Sequence, residues 1–311
     1  MLKIGIIGLN EGNGHPYSYS AIFNGYDPEA LEKYCPFELI KQYLPLEHRN
    51  ENFIEGAKVT HIWTQDRFLS ENVSKVSLIP NIVDDIGDMV HKVDAVILAR
   101  DDPWNHLKMA EPFIRHGLPL FIDKQLTSTE SDLRMMLNLA GEDYPLMACS
   151  SARYTKHTKE VSQRDIGNVK TIHGVSRVNW MRYGHHVLEG IIKVWGTEVL
   201  GVQSLSKKVG HDIVKITFKN DLNVIIECIE NLFLPIQFTC FSTSEESFTI
   251  PFTDYFNSFR EMLEKFTNMA ITGKKDIPYE EMVLISKIIL AGDISKNNNG
   301  EIIRPQEIAR I

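Results

Sequence analysis

Short apolar runs alternate with amphipathic stretches in the first half of the chain. The runs predict five buried strands: KIGIIG (3–8), KVTHIW (58–63), VDAVILA (93–99), PLFIDK (119–124) and PLMACS (145–150). Between two of them, NHLKMAEPFIRHG places its apolar residues on one helix face and ends at the stop signal Gly117. Because strands that alternate with helices are typical of a doubly wound parallel sheet, we predict an α/β Rossmann domain over residues 1–150.

After residue 150 the pattern changes to β-rich runs joined by turn residues. The runs are VKTIHGVSRVNWM (169–181), GVQSLSKKVG (201–210), DIVKITFKN (212–220), LNVIIECIE (222–230) and LPIQFTCFS (234–242). KNDLN (219–223) is a hairpin signal, and helical spacing recurs at 185–196, 254–273 and 279–298. We therefore predict a second, α+β domain over residues 151–311 with a mainly antiparallel open sheet, which binds substrate and forms oligomers.

Two further features follow from the spacing of apolar residues. The first crossover, residues 24–56, is unusually long and contains apolar positions and a proline, so we expect an insertion of extra helices, with a lid as one interpretation. A stripe of Phe256, Phe259, Leu263 and Phe266 at helical spacing predicts core packing.

Composition narrows the class of protein. The chain has 311 residues, 43% hydrophobic content and a formal net charge of -8, without a dense Lys/Arg block, which argues against nucleic-acid and anionic-membrane partners. There is no apolar run of about 20 residues and no leader pattern, so we expect a cytoplasmic protein. The four cysteines form no C-x-x-C pair, which indicates reduced thiols and no metal site.

A glycine-containing loop follows the first strand in GIIGLNEGNGHPYSYS (5–20). The dinucleotide fingerprint G-x-G-x-x-G starts at Gly8, but Asn10 replaces its second glycine, and Gly12 and Gly14 are out of register. The N–H groups of this loop, up to His15, are nevertheless suited to bind an anion ahead of a helix. A tight turn without a ligand is the alternative.

Asp66 and its neighbour Arg67 follow the second predicted strand, which Asp66 ends if the strand continues as KVTHIWTQD (58–66). Asp66 is suited to the adenosine ribose hydroxyls of NAD, and Arg67 to the 2′-phosphate of NADP. Capping of the following helix by Asp66 is the alternative.

Three segments carry a family resemblance in the same order along the chain. They are residues 93–140, with Asp94-Ala95-Val96, His106, Gly117 and Asp123-Lys124-Gln125; GHHVLEGIIKVWG (184–196); and FREMLEKFTNMAITGKKDIP (259–278). Together they resemble the glucose-fructose oxidoreductase and inositol dehydrogenase (Gfo/Idh/MocA) family, which has Glu-Lys-Pro where this chain has Asp123-Lys124-Gln125. The resemblance covers nearly the whole chain.

The resemblance implies an NAD(P)-dependent oxidoreductase that transfers hydride at a secondary alcohol or ketone of a sugar, sugar acid or nucleotide sugar. In the family a lysine contacts the substrate hydroxyl and the nicotinamide ribose, and an aspartate and a histidine complete the site. Lys124 matches the lysine and His186 the histidine, whereas Arg182 stands at the aspartate position. Arg100, Asp102, His106 and Asp123 join the loop residues as predicted cofactor contacts.

Elementary chemistry assigns roles to these residues. A histidine is suited to accept the hydroxyl proton, and a lysine to stabilise the developing alkoxide. Arg182 accepts no hydrogen bond, so its predicted use is to grip an anion. Glu189 is placed to orient the imidazole of His186, and His185 and Arg153 complete the predicted substrate-binding set.

Other interpretations stay open for each feature. Lys124 taken alone fits a solvated side chain, His185-His186 a capping or packing pair, and Arg182 a surface residue. For the whole chain, the alternative is a catalytically altered family member that acts as a ligand-binding or regulatory protein. Apolar residues on both faces of DIVKITFKN and LNVIIECIE predict a homodimer or homotetramer.

Overall fold

The computed structural model describes residues 1–47, 53–163, 167–232, 235–243 and 247–310. Residues 48–52 of the predicted insertion and Leu234 of the last predicted β run lie outside these ranges. The chain divides into two compact units. The first comprises Met1–Thr127, Met135–Ala148 and Phe259–Pro278, and the second Ser128–Arg134, Cys149–Ser258 and Tyr279–Ile311. The functional boundary between residues 150 and 151 stays a prediction.

The first unit is built on a six-stranded parallel sheet. Its strands are β1 (Leu2–Ile7), β2 (Ala57–Trp63), β3 (Asn81–Ile82), β4 (Ala95–Leu98), β5 (Leu120–Asp123) and β6 (Leu146–Cys149). The spatial order is β3-β2-β1-β4-β5-β6, so the chain reverses direction across the sheet between β1 and β4. This confirms the predicted doubly wound sheet. Ligands of such sheets bind beyond the carboxyl ends of the strands, at the point of reversal.

Helices connect these strands, as the amphipathic stretches predict. They are α1 (His15–Asn24), α2 (Pro28–Tyr34), α3 (Glu38–Glu47), α4 (Arg67–Val76), α5 (His106–Arg115) and α6 (Glu130–Ala140). Helices α2 and α3 are the expected extra helices of the first crossover, whereas their use as a lid stays a prediction. Each residue of β4 and β5 is buried, as expected where helices cover both faces of a parallel sheet.

The second unit contains a six-stranded mixed sheet. Its strands are β7 (Val169–Arg177), β8 (Val199–Ser204), β9 (His211–Phe218), β10 (Asn223–Ile229), β11 (Gln237–Ser242) and β12 (Ser247–Pro251), in the order β12-β11-β7-β10-β9-β8. The predicted hairpin at 219–223 joins antiparallel β9 and β10. The other described pairs are antiparallel too, except that β7 and β10 run parallel.

The part of the chain that the structure describes also contains α7 (Lys156–Gln163), α8 (His185–Trp195), α9 (Tyr255–Thr272) and α10 (Tyr279–Asn297). In the predicted α9 stripe, Phe256, Leu263 and Phe266 are buried, and Phe259 is half-buried. Phe266 packs against Phe121 of β5, with ring centroids 5.9 Å apart. Within the described ranges no helix is long and apolar enough to cross a membrane, and all four cysteines are buried free thiols.

A π-helical turn, Trp180–Gly184, leads directly into α8. The indole N–H of Trp180 donates to the carbonyl of Ile289 on α10, at 2.8 Å. A Cβ built at Gly184 or at Gly292 would lie 2.3 Å from the Trp180 ring system, so both positions require glycine. The indole therefore fixes the start of α8 against α10.

Candidate active site

The turn between β1 and α1 keeps the tight packing of a dinucleotide-binding loop. A Cβ at Gly8 would lie 2.1 Å from the Pro16 ring, and Gly12 has a φ of 78°. Both positions therefore depend on glycine.

Asparagine side chains tie this loop to the ends of the neighbouring strands. Asn10 donates to a carboxylate oxygen of Asp101 at 2.5 Å and accepts the Asp101 N–H at 3.1 Å. Asn13, at the third glycine position of the fingerprint, donates to Asp123 at 3.0 Å and accepts the His15 N–H at 2.8 Å. The asparagines therefore fix the loop to the residue after Arg100 and to the last residue of β5.

The start of α1 offers few free donors for an anion. The His15 N–H is taken by Asn13, Pro16 has none, and the Tyr17 N–H donates to the Gly14 carbonyl. Among the described residues, the N–H groups of Gly12 and Gly14 make no hydrogen bond. We therefore expect an anion at this loop to bind the N–H groups of Gly12 and Gly14 and not those of the first turn of α1.

Arg100 joins the loops that follow three strands. It makes a two-pronged ion pair with Asp102, at 2.8 and 2.6 Å, and also donates to the Leu9 carbonyl and to Gln65. Arg100 is 6% exposed, so its contacts hold the loops together in the interior.

His106 connects the segments after β4 and β5 from a fully buried position. Its Nε2 lies 3.1 Å from the Arg100 carbonyl oxygen, and its Nδ1 lies 3.0 Å from that of Gln125. Burial lowers the pKa of His106, with Asp102 opposing in part, so the neutral ring donates to one carbonyl at a time. The ring positions the backbone directly after Lys124.

Lys124 immediately follows β5 and forms an ion pair with Asp101, Nζ to Oδ2 at 2.9 Å. The two side chains are 6% and 5% exposed. Lys124 has a φ of 37°, a left-handed conformation that side chains disfavour and that is concentrated at functional sites.

Asp123 and His15 make a second charged contact, from Asp123 Oδ2 to His15 Nδ1. Burial alone would raise the pKa of Asp123, but His15 and Lys124 outweigh it, and the net shift is downward. The His15 ring stacks on Tyr19 at a centroid distance of 4.6 Å, which fixes its orientation.

Three residues after β2, Asp66 accepts the Phe68 N–H at 2.8 Å and so caps α4, the alternative that the sequence leaves open. Arg67 pairs with Asp84 and Glu71 at the surface. Roles of these two residues in cofactor binding stay predictions.

In the second unit, His186 lies at the first turn of α8 beside Ser150. The Ser150 Oγ is 2.6 Å from His186 Nδ1, and it also accepts the Ala152 N–H at 3.2 Å. An oxygen that accepts from a backbone amide is free to donate its own proton, so Ser150 favours the His186 tautomer that carries hydrogen on Nε2.

Glu189 belongs to a buried charged cluster and bonds His185, not His186. Its carboxylate accepts from Arg153 Nε at 2.6 Å and from His185 Nε2 at 2.9 Å. Burial alone would raise the pKa of Glu189, but Arg153 and His185 lower it below its usual range. Conversely, burial alone would lower the pKa of Arg153, but Glu189 and Glu281 raise it above its usual range. The cluster fixes the helix that carries His186.

Arg182 lies in the π turn and is half-buried. Its backbone N–H donates to Asn179, whose side chain caps the turn, at 3.0 Å. Binding of an anion by the Arg182 guanidinium stays a prediction.

The structure brings together the loop 8–15, the segment 100–102 and Asp123-Lys124, as their positions after parallel strands predict. In the second unit it brings together Arg153, His185 and Glu189. Ser150 and Asn13 were not among the predicted site residues. The sequence does contain a signal for each of them. Ser150 ends the PLMACS run, at a strand end where site residues are expected, and Asn13 stands where the fingerprint has its third glycine.

Comparison with known proteins identifies the fold. No protein-family model matches the sequence, and neither does any curated protein. Solved structures match over the whole chain. The myo-inositol 2-dehydrogenase of Lactobacillus plantarum has a TM-score of 0.76 at 14% identity, covering 97% of this chain and 99% of its own. A scyllo-inositol dehydrogenase of Lactobacillus casei, solved with NAD(H) and scyllo-inositol, has a TM-score of 0.75 at 14% identity and covers 99% and 100%. A probable dehydrogenase of Thermotoga maritima has a TM-score of 0.73 at 16% identity, also covering 99% and 100%.

The chain therefore has the fold of the inositol dehydrogenases and related oxidoreductases. The resemblance to Gfo/Idh/MocA proteins is confirmed at the level of the fold.

Proposed function

We propose that this protein is an NAD(P)-dependent oxidoreductase acting at a secondary alcohol or ketone of a sugar, sugar acid or nucleotide sugar. The observation that carries the proposal is the buried Lys124–Asp101 ion pair, which lies just beyond the carboxyl ends of β5 and β4. This edge of a doubly wound sheet is where dinucleotides bind. A similar fold holds NAD(H) and scyllo-inositol in the Lactobacillus casei enzyme.

The residues of the first unit fit a dinucleotide. The loop amides of Gly12 and Gly14 would bind its pyrophosphate, and Asp66 or Arg67 would bind its adenosine ribose or 2′-phosphate. When bound, the nicotinamide would supply or accept the hydride. The asparagine ties of the loop keep its amides in one arrangement before any ligand arrives, which reduces the ordering cost of binding.

The remaining residues handle charge and protons. The ammonium of Lys124 is held by Asp101 and would stabilise negative charge that develops on the substrate oxygen. His186 would exchange the hydroxyl proton at Nε2, because Ser150 engages Nδ1. The imidazolium form of the ring would give its Nε2 proton to a ketone oxygen and become neutral. In the reverse direction the neutral ring, in its other tautomer with the hydrogen on Nδ1 donated to Ser150 Oγ, would take the alcohol proton at Nε2.

A thermal-shift titration with NAD and NADP tests the cofactor half of the proposal. One of the two at millimolar concentration is expected to raise the melting temperature, by the linkage of binding to folding. If neither does, the oxidoreductase proposal is wrong.

Activity tests the second half. With the cofactor that binds, a panel of polyols, sugar acids and nucleotide sugars is screened by the nicotinamide absorbance. Lys124→Met is expected to abolish turnover of any substrate found, whereas Lys108→Met, at an exposed position of α5, leaves it unchanged. Equal turnover by both variants would exclude Lys124 from the reaction.

A further inference from the structure

Gln125 has a buried side-chain amide without a hydrogen-bond partner. The residue is 4% exposed, and within the described ranges neither Nε2 nor Oε1 makes a hydrogen bond. Buried polar groups are nearly always paired, so an amide unpaired at both ends calls for a reason.

The position of Gln125 supplies one. It directly follows Lys124 at the carboxyl edge of the sheet, where its backbone carbonyl is held by His106 at 3.0 Å. Lys124 has a left-handed φ of 37°, so the chain is strained at the residue that presents Gln125. The backbone of Gln125 is thus held in place, whereas its side-chain amide has no hydrogen-bond partner among the described residues.

The sequence adds a second argument. In the resembling family this position is proline, which has no side-chain donor or acceptor. Glutamine therefore introduces a polar group that the folded chain itself does not use. A cost to the free protein that is recovered when a ligand binds is typical of binding groups.

We propose that the Gln125 amide binds the carboxamide of a nicotinamide cofactor, a proposal that rests on the proposed function. The amide offers one donor and one acceptor side by side. The complementary group must offer an acceptor and a donor at the same spacing, and a primary carboxamide does so. In NAD(P), the adenine edge also presents a donor beside an acceptor. Gln125 directly follows Lys124, whose proposed partner is the reacting substrate oxygen, so we assign it to the nicotinamide, and ADP-ribose, which keeps the adenine, distinguishes the two groups.

Two substitutions test the assignment. Gln125→Leu and Gln125→Met both remove the amide while retaining side-chain bulk, and Met keeps the length of the side chain. The probes are the better-binding reduced cofactor, NADH or NADPH, and its nicotinamide-free counterpart, ADP-ribose or 2′-phospho-ADP-ribose. Dissociation constants are measured by fluorescence and calorimetry, and the melting temperature is measured without ligand.

Both variants are expected to bind the reduced cofactor about tenfold more weakly and the nicotinamide-free counterpart within about twofold of wild type. Without ligand, both are expected to melt higher than wild type, because a buried unpaired amide has been removed. Gln203→Leu is the matched control, since the amide of Gln203 donates to the Gly300 carbonyl at 2.8 Å. It is expected to melt lower and to bind both probes as wild type does.

Several results would overturn the assignment. Equal weakening of both probes, or unchanged affinity for the reduced cofactor, would show that Gln125 does not read the nicotinamide. Lower melting of both variants with unchanged affinity would show that the amide is paired in solution, for example by water. A wild type that binds neither cofactor but retains its fold would instead overturn the proposed function, and the inference with it.

Discussion

Lys124 and Asp101 form a buried ion pair that bridges the ends of two neighbouring strands, with Nζ 2.9 Å from Oδ2. Asp101 also accepts from the Asn10 side chain, so the pair and the loop after β1 are one connected unit. A charge at this depth depends on its partner.

Removing one member of this pair is expected to destabilise the fold. Asp101→Asn leaves the Lys124 ammonium buried without this carboxylate and should cost about 3–5 kcal/mol of unfolding free energy. Lys124→Met should cost less, because Asn10 still donates to Asp101. Urea unfolding of both single variants and the double variant gives the coupling, expected to be at least about 1 kcal/mol. Simply additive costs would contradict the pairing, and the exposed pair Lys219–Glu198 serves as a control with no measurable coupling.

The Glu189 cluster predicts an acid limit to stability. The folded-state pKa of Glu189 lies below its usual 4.5, so its contribution is fully present above that pH. It is lost as the pH falls through the folded-state value, because protonation breaks the contacts to Arg153 and His185. Glu189→Gln is therefore expected to cost about 3–5 kcal/mol at neutral pH and to flatten the decline of stability below about pH 4.5. Urea unfolding from pH 7 to pH 3 measures both, and exposed Glu160→Gln should retain the wild-type slope.

Ser150 is expected to set the tautomer of His186. Nitrogen chemical shifts of labelled histidine should show hydrogen on Nε2 in the neutral wild-type ring. Ser150→Ala should give a mixture of tautomers and lose about 1 kcal/mol of stability, since Ser150 also caps the Ser151–Tyr154 turn. Ser150→Thr keeps the hydroxyl and should restore both readouts. A single unchanged tautomer in the alanine variant would rule out this role.

Arg182 is expected to select anionic ligands. Loss of a two-pronged contact to a carboxylate or phosphate removes about 1.5–3 kcal/mol of binding, whereas a neutral polyol loses little. Calorimetric titration of gluconate and myo-inositol against wild type and Arg182→Gln compares the two classes. Arg304→Gln, at an exposed site, is the control. Equal changes for both ligands, or none for either, would contradict the anion hypothesis.

The sheet of the second unit is expected to mediate a dimer or tetramer. Side chains of β9 and β10 alternate between buried and half-exposed, and Ile213, Ile225 and Ile229 lie on the half-exposed face. Covering these isoleucines, which lie opposite Lys215, Glu227 and His211 on the same face, would stabilise an assembly. Sedimentation velocity at micromolar concentration should show an oligomer that Ile225→Lys dissociates and that Ile271→Lys, on exposed α9 surface, does not. A wild type that sediments as a monomer would exclude this interface.

The sequence predicts the longer strands and helices well, because burial imposes a regular period on them. The two-residue β3, Asn81–Ile82, is too short to have a period and was not predicted. The run 201–210 was expected to form one strand, but β8 spans Val199–Ser204, since Ser206 and later residues turn back towards β9. The parallel pairing of β7 with β10 depends on a long crossover that no local pattern encodes.

Site residues could be predicted from the sequence where polar or charged residues directly follow a strand. Asp123-Lys124 and the segment after β4 come together because parallel strands end at one edge. The partner of Glu189 was not predictable in the same way: the sequence favours His186 three residues before it, but His185 makes the bond, four residues before it. Both spacings share a helix face, and packing against Arg153 decides between them.

The π turn before α8 changes what a sequence interval means. A π turn takes one more residue than an α turn, so Arg182 and His186 do not project from the helix at the angle that four residues of regular α-helix would give. Counting residues back from a histidine therefore locates a position in the chain but not a direction in space. In a relative that lacks one residue of Trp180–Gly184, the side chains before the deletion would be rotated by about 100° relative to α8. The residue types of the motif would all be retained. Insertions of a single residue in helices are thus a route by which specificity diverges without any substitution in the site.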